Sequence, residues 1–260
     1  MKKVYLALMC IACLALTTAC GGQKGDQDNE VEENTEAVEN EEEEEDETEA
    51  EAEAKEGGEA VANPADAKAL DLAAIYANGD FKPAKDVVFE DNFSKDKDGE
   101  LPTKWELKEG SVEVKECAGR NVLSLGGESS IVVPLLNGKS DFLTDTWNLE
   151  YEFFAANGQQ HDVRFMNNED SEIGAVRITS DLIEYHFTKT DEENLDGSKG
   201  ELQKLITNGW NHMAISFNKG NVKIFINGKR VFNLPNVMQP SSFRLWGYDG
   251  HYFTNIRVTK

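Results

Sequence analysis

Basic charge is scarce in this chain: 26 Lys and Arg stand against 49 Asp and Glu, a formal net charge of −23 over 260 residues. With no basic patch to release phosphate counterions, nucleic acid is excluded as a partner. Cysteine is scarcer still. Of the four, Cys10, Cys13 and Cys20 sit at the extreme N-terminus, which leaves Cys117 alone in the rest of the chain. A lone cysteine cannot form an internal bridge, and without a Cys-His context it reads as a small apolar residue buried in a strand. No apolar run reaches the roughly 20 residues of a membrane-spanning helix. There is no βαβ alternation, P-loop, Ser-His-Asp order or His/Cys metal spacing, so neither cofactor nor metal is expected.

What is present begins with an export leader. Lys2 and Lys3 precede the apolar run Val4–Leu16, and the small residues Thr17, Thr18 and Ala19 lead to Cys20. This is the charged, apolar and small-residue order of a signal peptide over residues 1–19. The stretch Leu16-Thr17-Thr18-Ala19-Cys20 resembles a bacterial lipobox, with the leucine one position further upstream than usual. That resemblance implies lipidation of Cys20, with the membrane as partner through the acyl chains. Each buried methylene contributes about 0.8 kcal/mol, so several chains anchor firmly where one does not.

Composition changes abruptly after Cys20. Gly21–Ala62 holds 19 acidic residues and two lysines, leaving 30 acidic and 22 basic residues in Asn63–Lys260. The acidity therefore belongs to a tail. So little apolar surface cannot offset the entropy of ordering, and residues 20–62 read as a lipidated cysteine followed by a disordered acidic spacer. Acid-rich residues soon after a lipidated cysteine also resemble the surface-export signal of Bacteroidetes lipoproteins, although here the acids start only at Asp26 and Asp28. The expected address is the outer membrane, facing either the periplasm or the cell surface.

Residues 63–85 form a bridge. Asn63-Pro64 is a helix-start signal, Ala67–Tyr76 aligns Leu70, Ala73, Ala74 and Ala77 along one side, and Asn78-Gly79 ends the pattern. The segment either docks on the domain after it or remains linker.

From Asp86 the pattern is all-β. Period-2 alternation marks strands over Val87–Phe93, Trp105–Leu107, Val112–Lys115, Asn121–Leu125, Ser130–Leu135, Trp147–Ala155, Asp162–Phe165, Gly174–Thr179 and Leu182–Thr188. A meander over Trp210–Leu234 comes next, turned by Lys219-Gly220-Asn221 and by Asn227-Gly228, a dipeptide that tolerates φ > 0 at both positions. Ser242–Trp246 and Phe253–Thr259 close the series. So many short strands punctuated by Gly-containing turns predict one two-sheet antiparallel sandwich, a jelly roll, over residues 86–260.

Two regions carry a family resemblance. Val88-Phe89-Glu90-Asp91-Asn92-Phe93-Ser94, with Gly99-Glu100-Leu101-Pro102, Trp105 and Gly110, resembles the opening of concanavalin A-like, laminin-G-like jelly-roll domains of Bacteroidetes envelope proteins. Trp210-Asn211-His212 with the Asn227-Gly228 hairpin, and Phe253–Val258, resemble the same group, which includes the jelly-roll region of OmpA-family proteins. The chain stops at Lys260, where relatives of this kind often continue into an OmpA-like domain. The resemblance implies the jelly-roll fold and says little of function.

Relatives on that fold include glycoside hydrolases with three acids spaced along one strand. Glu150 and Glu152 share a strand face here, but no third acid follows, and both read as solvated carboxylates on an outward face. Asp191–Asp196 reads as an acidic loop, with or without calcium. By alternation Arg164, Arg177, Glu184, His186, His212, Arg244 and Trp246 point away from the core. Trp246 and Tyr248, near Asp249 and His251, form an aromatic-polar cluster of the kind that stacks on a pyranose. The plainer alternative is that Trp246 caps the sandwich edge while the arginines pair with Glu184 and Glu152. The expectation is a non-catalytic binding module with a glycan as first ligand. A purely structural or assembly role with an envelope protein partner, and a glycoside-processing enzyme, remain as alternatives.

Overall fold

The computed structural model describes residues 63–155, 160–179, 182–200 and 209–260. The leader, Cys20 and the acidic spacer lie outside the described residues. Those described belong to one compact unit, Gly57–Lys260.

The turns do what their composition demands. At Asn227-Gly228 φ is +48° and +80°, and at Lys219-Gly220 it is +46° and +84°, the left-handed pairs of two-residue hairpin loops. They join β9 (Asn211–Asn218), β10 (Asn221–Ile226) and β11 (Lys229–Leu234) into an antiparallel meander. Ala118-Gly119, at +54° and +78°, turns β2 (Trp105–Cys117) into β3 (Arg120–Pro134) in the same way. Each of these long strands covers two of the shorter segments that alternation marks. Gly110 and Gly127, both at φ +75°, interrupt the pattern where the hairpin bends. A Cβ on Gly110 would lie 2.0 Å from the Ser129 carbonyl oxygen, so the bend admits no side chain.

That bend gives the fold its two layers. The remaining strands are β1 (Val87–Asp91), β4 (Thr146–Ala155), β5 (His161–Met166), β6 (Glu172–Ile178), β7 (Ile183–Thr188), β8 (Asn194–Lys199), β12 (Ser242–Gly247) and β13 (His251–Thr259). All pairings are antiparallel and run in one continuous path, β11-β10-β9-β4-β13-β3-β12-β5-β6-β7-β8, with β1 on β13 and β2 on β3. The first half of β3 pairs with β13 and its second half with β12, so the ladder passes from one layer to the other through this hairpin. The expected two sheets are thus one rolled sheet. Its inner faces meet: Trp147 of β4 stacks on Phe165 of β5 with centroids 5.5 Å apart, and at the far end Tyr185 of β7 meets Phe232 of β11 at 4.7 Å. Leu149, Tyr151, Phe153, Val163, Ile215, Ile224, Leu245 and Ile256 are all fully buried in the core between them.

Three details correct or sharpen the sequence reading. β8 falls across the stretch read as the Asp191–Asp196 loop; it is a polar edge strand, and Gly197 lies where Tyr185 packs rather than in a turn. The bridge does not stay linker. Asp71 caps a short helix α1 (Leu72–Asn78) by accepting from Ala74 N, and residues 63–85 lie as a strap over the outer face of the first layer. Phe81 is buried against Phe225 and His212, Trp210 donates to the Pro64 carbonyl at 3.2 Å, and Asp80 N donates to the Gly228 carbonyl at 2.7 Å. The outward Phe154, Ala214 and Phe225 explain this docking, since burying one large apolar side chain contributes about 1.5–3 kcal/mol. The third detail concerns Glu150 and Glu152, which are not solvated: each is 2% exposed beneath the strap. Cys117 ends β2 as a buried free thiol, pushed up by that burial.

Candidate functional site

The outer face of the second layer presents two rows of side chains fixed by strand register. One runs Trp246–Asp162–Arg177–Glu184–Ser198 across β12, β5, β6, β7 and β8. The other runs Arg244–Arg164–Ala175–His186–Asp196 across the same strands. Directly opposed residues share a face, so Trp246, Arg244, Arg164, Arg177 and His186 are brought together by pairing alone. Tyr248 joins them, its ring 4.8 Å from that of Trp246 and tilted by 70°. His212 is placed elsewhere, on β9 in the first layer, buried under Tyr76 and Phe81.

Asp162, 1% exposed, organises the face. Its carboxylate accepts from Arg177 Nε at 3.1 Å, from Arg177 Nη2 and Arg164 Nη2 at 3.4 Å each, and from Gln160 Nε2 at 3.3 Å. The Asp162 bond is also the main cause holding the Arg177 guanidinium above its ordinary range. Arg164 and Arg244 stand opposite one another, a like-charge pair relieved because Arg244 pairs with Asp170 and Arg164 Nη1 lies 3.9 Å from Glu172. His186 sits between Asp196 at 3.3 Å and Glu172 at 4.0 Å. The Arg164 guanidinium also lies 4.7 Å from the centre of the Trp246 ring, whose Nε1 donates to Ser129 Oγ at 2.9 Å.

Trp246 is therefore locked in orientation from two sides and remains partly exposed. Beyond it the rows line a groove of about 570 Å³ floored by Ala175 and Gly197. The face can offer an aromatic surface at one end and, along the rest, guanidinium donors alternating with carboxylate acceptors. It holds no buried carboxylate free to act as a base, since the oxygens of Asp162 are engaged by four donors.

No protein-family model matches the chain, and no curated protein does. Among solved structures it is similar to a carbohydrate binding module, CBM66 from Bacillus subtilis, at 12% identity and TM-score 0.45, over 61% of this chain and 96% of that one. It is similar to the receptor binding domain of botulinum neurotoxin D at 12% identity and TM-score 0.47, over 66% of this chain and 48% of that one. Sheep galectin-11 in complex with glycerol matches at 10% identity and TM-score 0.38, over 46% and 94%. At such values these similarities decide nothing about ligand or role, which rest on this chain's own residues.

The groove contains residues that alternation alone did not single out. Asp162 lies two positions from Arg164 and shares its face, a signal present in the sequence. Asp196 reads as part of an acidic loop rather than of a strand, and Ser129 comes to Trp246 only through the bend in β3. On the opposite layer Glu150 accepts from Tyr76 Oη at 2.7 Å, and Glu152 accepts from Arg120 Nη1 at 2.8 Å and from Asn255 Nδ2. Arg120 in turn lies 4.0 Å from the centre of the Trp210 ring. Burial first, and the Glu150 carboxylate second, push the Tyr76 phenol well above its usual range.

Proposed function

We propose that this chain is a lipid-anchored envelope protein whose all-β domain is a non-catalytic glycan-binding module. The observation that carries the binding reading is the outer face of the second layer, where an oriented Trp246–Tyr248 pair stands on the same face as a groove whose donors and acceptors alternate along β5 to β8. Sugars present a flat apolar C–H face and a rim of hydroxyls that donate and accept at once. An aromatic edge beside mixed guanidinium and carboxylate groups suits both. The groove is open and shallow, which favours a chain or a terminal sugar over a small molecule enclosed on all sides.

A glycan array probed with the purified protein tests the reading. Binding to a defined glycan set, lost in Trp246→Ala and weakened in Arg177→Ala, is the expected result. No binding to any glycan by the folded protein overturns it and leaves the assembly role with an envelope protein partner. The address rests on the leader and on Cys20: Cys20→Ser is expected to move the protein from the outer-membrane fraction to the soluble fraction. Retention in the membrane would remove the lipid anchor from the proposal.

A further inference from the structure

A second cleft, of about 560 Å³, opens on the opposite layer between α1, the stretch after β1 and β13. Most of its charged groups are satisfied. Asp91, pushed up by burial, accepts from Phe93 N at 3.0 Å and Trp105 Nε1 at 3.0 Å, and Glu152 is held by Arg120 and Asn255. Glu150 is the exception. Its Oε2 contacts Tyr76 Oη at 2.7 Å and His212 Nε2 at 3.2 Å, both on groups whose neutral forms suffice for a hydrogen bond. Its Oε1 is buried and has no hydrogen-bond partner among the described residues, and no Lys or Arg there is ion-paired with it. Directly across the ladder stands its strand partner Arg257. The Nε of Arg257 is likewise buried without a hydrogen bond, the nearest acid being Glu90 at 4.0 Å.

A buried carboxylate oxygen and a buried guanidinium N–H, both unsatisfied and both bordering one cleft, define what would complete it. Leaving a buried donor or acceptor unmade is unfavourable, the more so where the group is charged. A divalent metal does not answer, because among the described residues no three Asp, Glu, His or Cys are grouped to hold one. A single carboxylate suits a monovalent organic cation, and the neighbouring N–H asks for an oxygen acceptor.

We propose that this cleft binds a small molecule bearing a protonated primary amine beside an oxygen acceptor, the ammonium on Glu150 Oε1 and the oxygen on Arg257 Nε. Amino acids and amino sugars share this chemistry. Tyr76 and His212 both hold Oε2 of the receiving carboxylate, so the strap is part of the site's wall.

The test is titration of the whole protein with glycine, glucosamine and N-acetylglucosamine, followed by calorimetry and by the ring signals of Tyr76 and His212. Saturable binding of glycine or glucosamine, with N-acetylglucosamine silent, is expected, and which amine binds identifies the source. Glu150→Gln keeps the shape and is expected to lose at least about tenfold in affinity, about 1.4 kcal/mol. Tyr76→Phe removes the hydrogen bond that fixes the carboxylate and is expected to weaken binding, though less than Glu150→Gln does. Should Glu150→Gln fail to fold, Arg257→Gln reads the same site from the acceptor side. Equal affinity for the acetylated sugar, undiminished binding in Glu150→Gln, or no binding of either amine overturns the proposal.

Discussion

Acid should weaken this fold through one histidine. His161 is fully buried, its Nε2 3.4 Å from the Tyr151 hydroxyl and its ring against Phe153 at 4.7 Å, Phe253 at 5.2 Å and His251 at 5.5 Å. Burial first, and the neighbouring His251 second, hold its pKa well below the ordinary 6.5. Above about pH 6.5 the ring is neutral in both folded and unfolded chains and contributes no pH dependence. Below it the unfolded chain binds a proton that the folded one refuses, so stability falls by about 1.36 kcal/mol per pH unit. While the folded ring stays neutral, each kcal/mol lost lowers Tm by about 2–4 °C for a domain of this size. The assay is thermal and urea unfolding of the wild type and of His161→Phe as pH falls below about 6.5. Phe preserves the ring among its aromatic neighbours and removes the titration, so the variant's stability should fall more gently with pH. Asp91, raised by burial, contributes in the opposite sense, because the folded state takes its proton first. It is common to both proteins and drops out of the difference. Identical pH slopes for the two proteins would refute the reasoning.

Gly174→Ala should destabilise by about 1–3 kcal/mol, because its Cβ would lie 2.2 Å from the ring of Phe187, which is itself stacked on Phe165 at 5.7 Å. Urea midpoints measure it, and an unchanged midpoint would mean that the ring has room to swing. Asp162→Asn keeps the shape but strips the charge on which Arg164 and Arg177 converge, at a cost of about 1–3 kcal/mol given that both arginines are partly exposed. The same substitution should weaken any glycan binding in the groove; a melt and an array profile both equal to wild type would show that the carboxylate organises nothing.

Much of the architecture could be read from alternation and turn chemistry, because the side-chain period of a strand is strict and a one-residue slip would turn Ile215 and Ile224 outward. The same rule placed Trp246, Arg164, Arg177 and His186 on the outer side. Their assembly on one face needed the strand order, which no local pattern carries. Alternation also misjudged Glu150 and Glu152. It sends them away from the core, where the structure indeed has them, but it cannot say that a helix 70 residues earlier in the chain will return to cover that face. Phe154 and Phe225, apolar residues at outward positions, were the hint that something must. β8 escaped notice for a different reason: an edge strand makes hydrogen bonds on one side only and buries little, so Asn194-Leu195-Asp196-Gly197 carries no apolar stripe.

The docked strap changes how the domain meets a pulling force. Tension applied upstream of Asn63 reaches the sandwich through a series of small fasteners, beginning with Pro64 on Trp210, continuing with Tyr76 on Glu150 and Asp80 on the Gly228 turn, and ending with Phe81 on Phe225. Only then does the load reach Asp86 and Lys260, which exchange two backbone hydrogen bonds beside β1. The apolar contacts of the strap belong to clusters separate from the main core, so the strap stands in series with the fold. Its release would also strip Glu150 of the hydrogen bond from Tyr76.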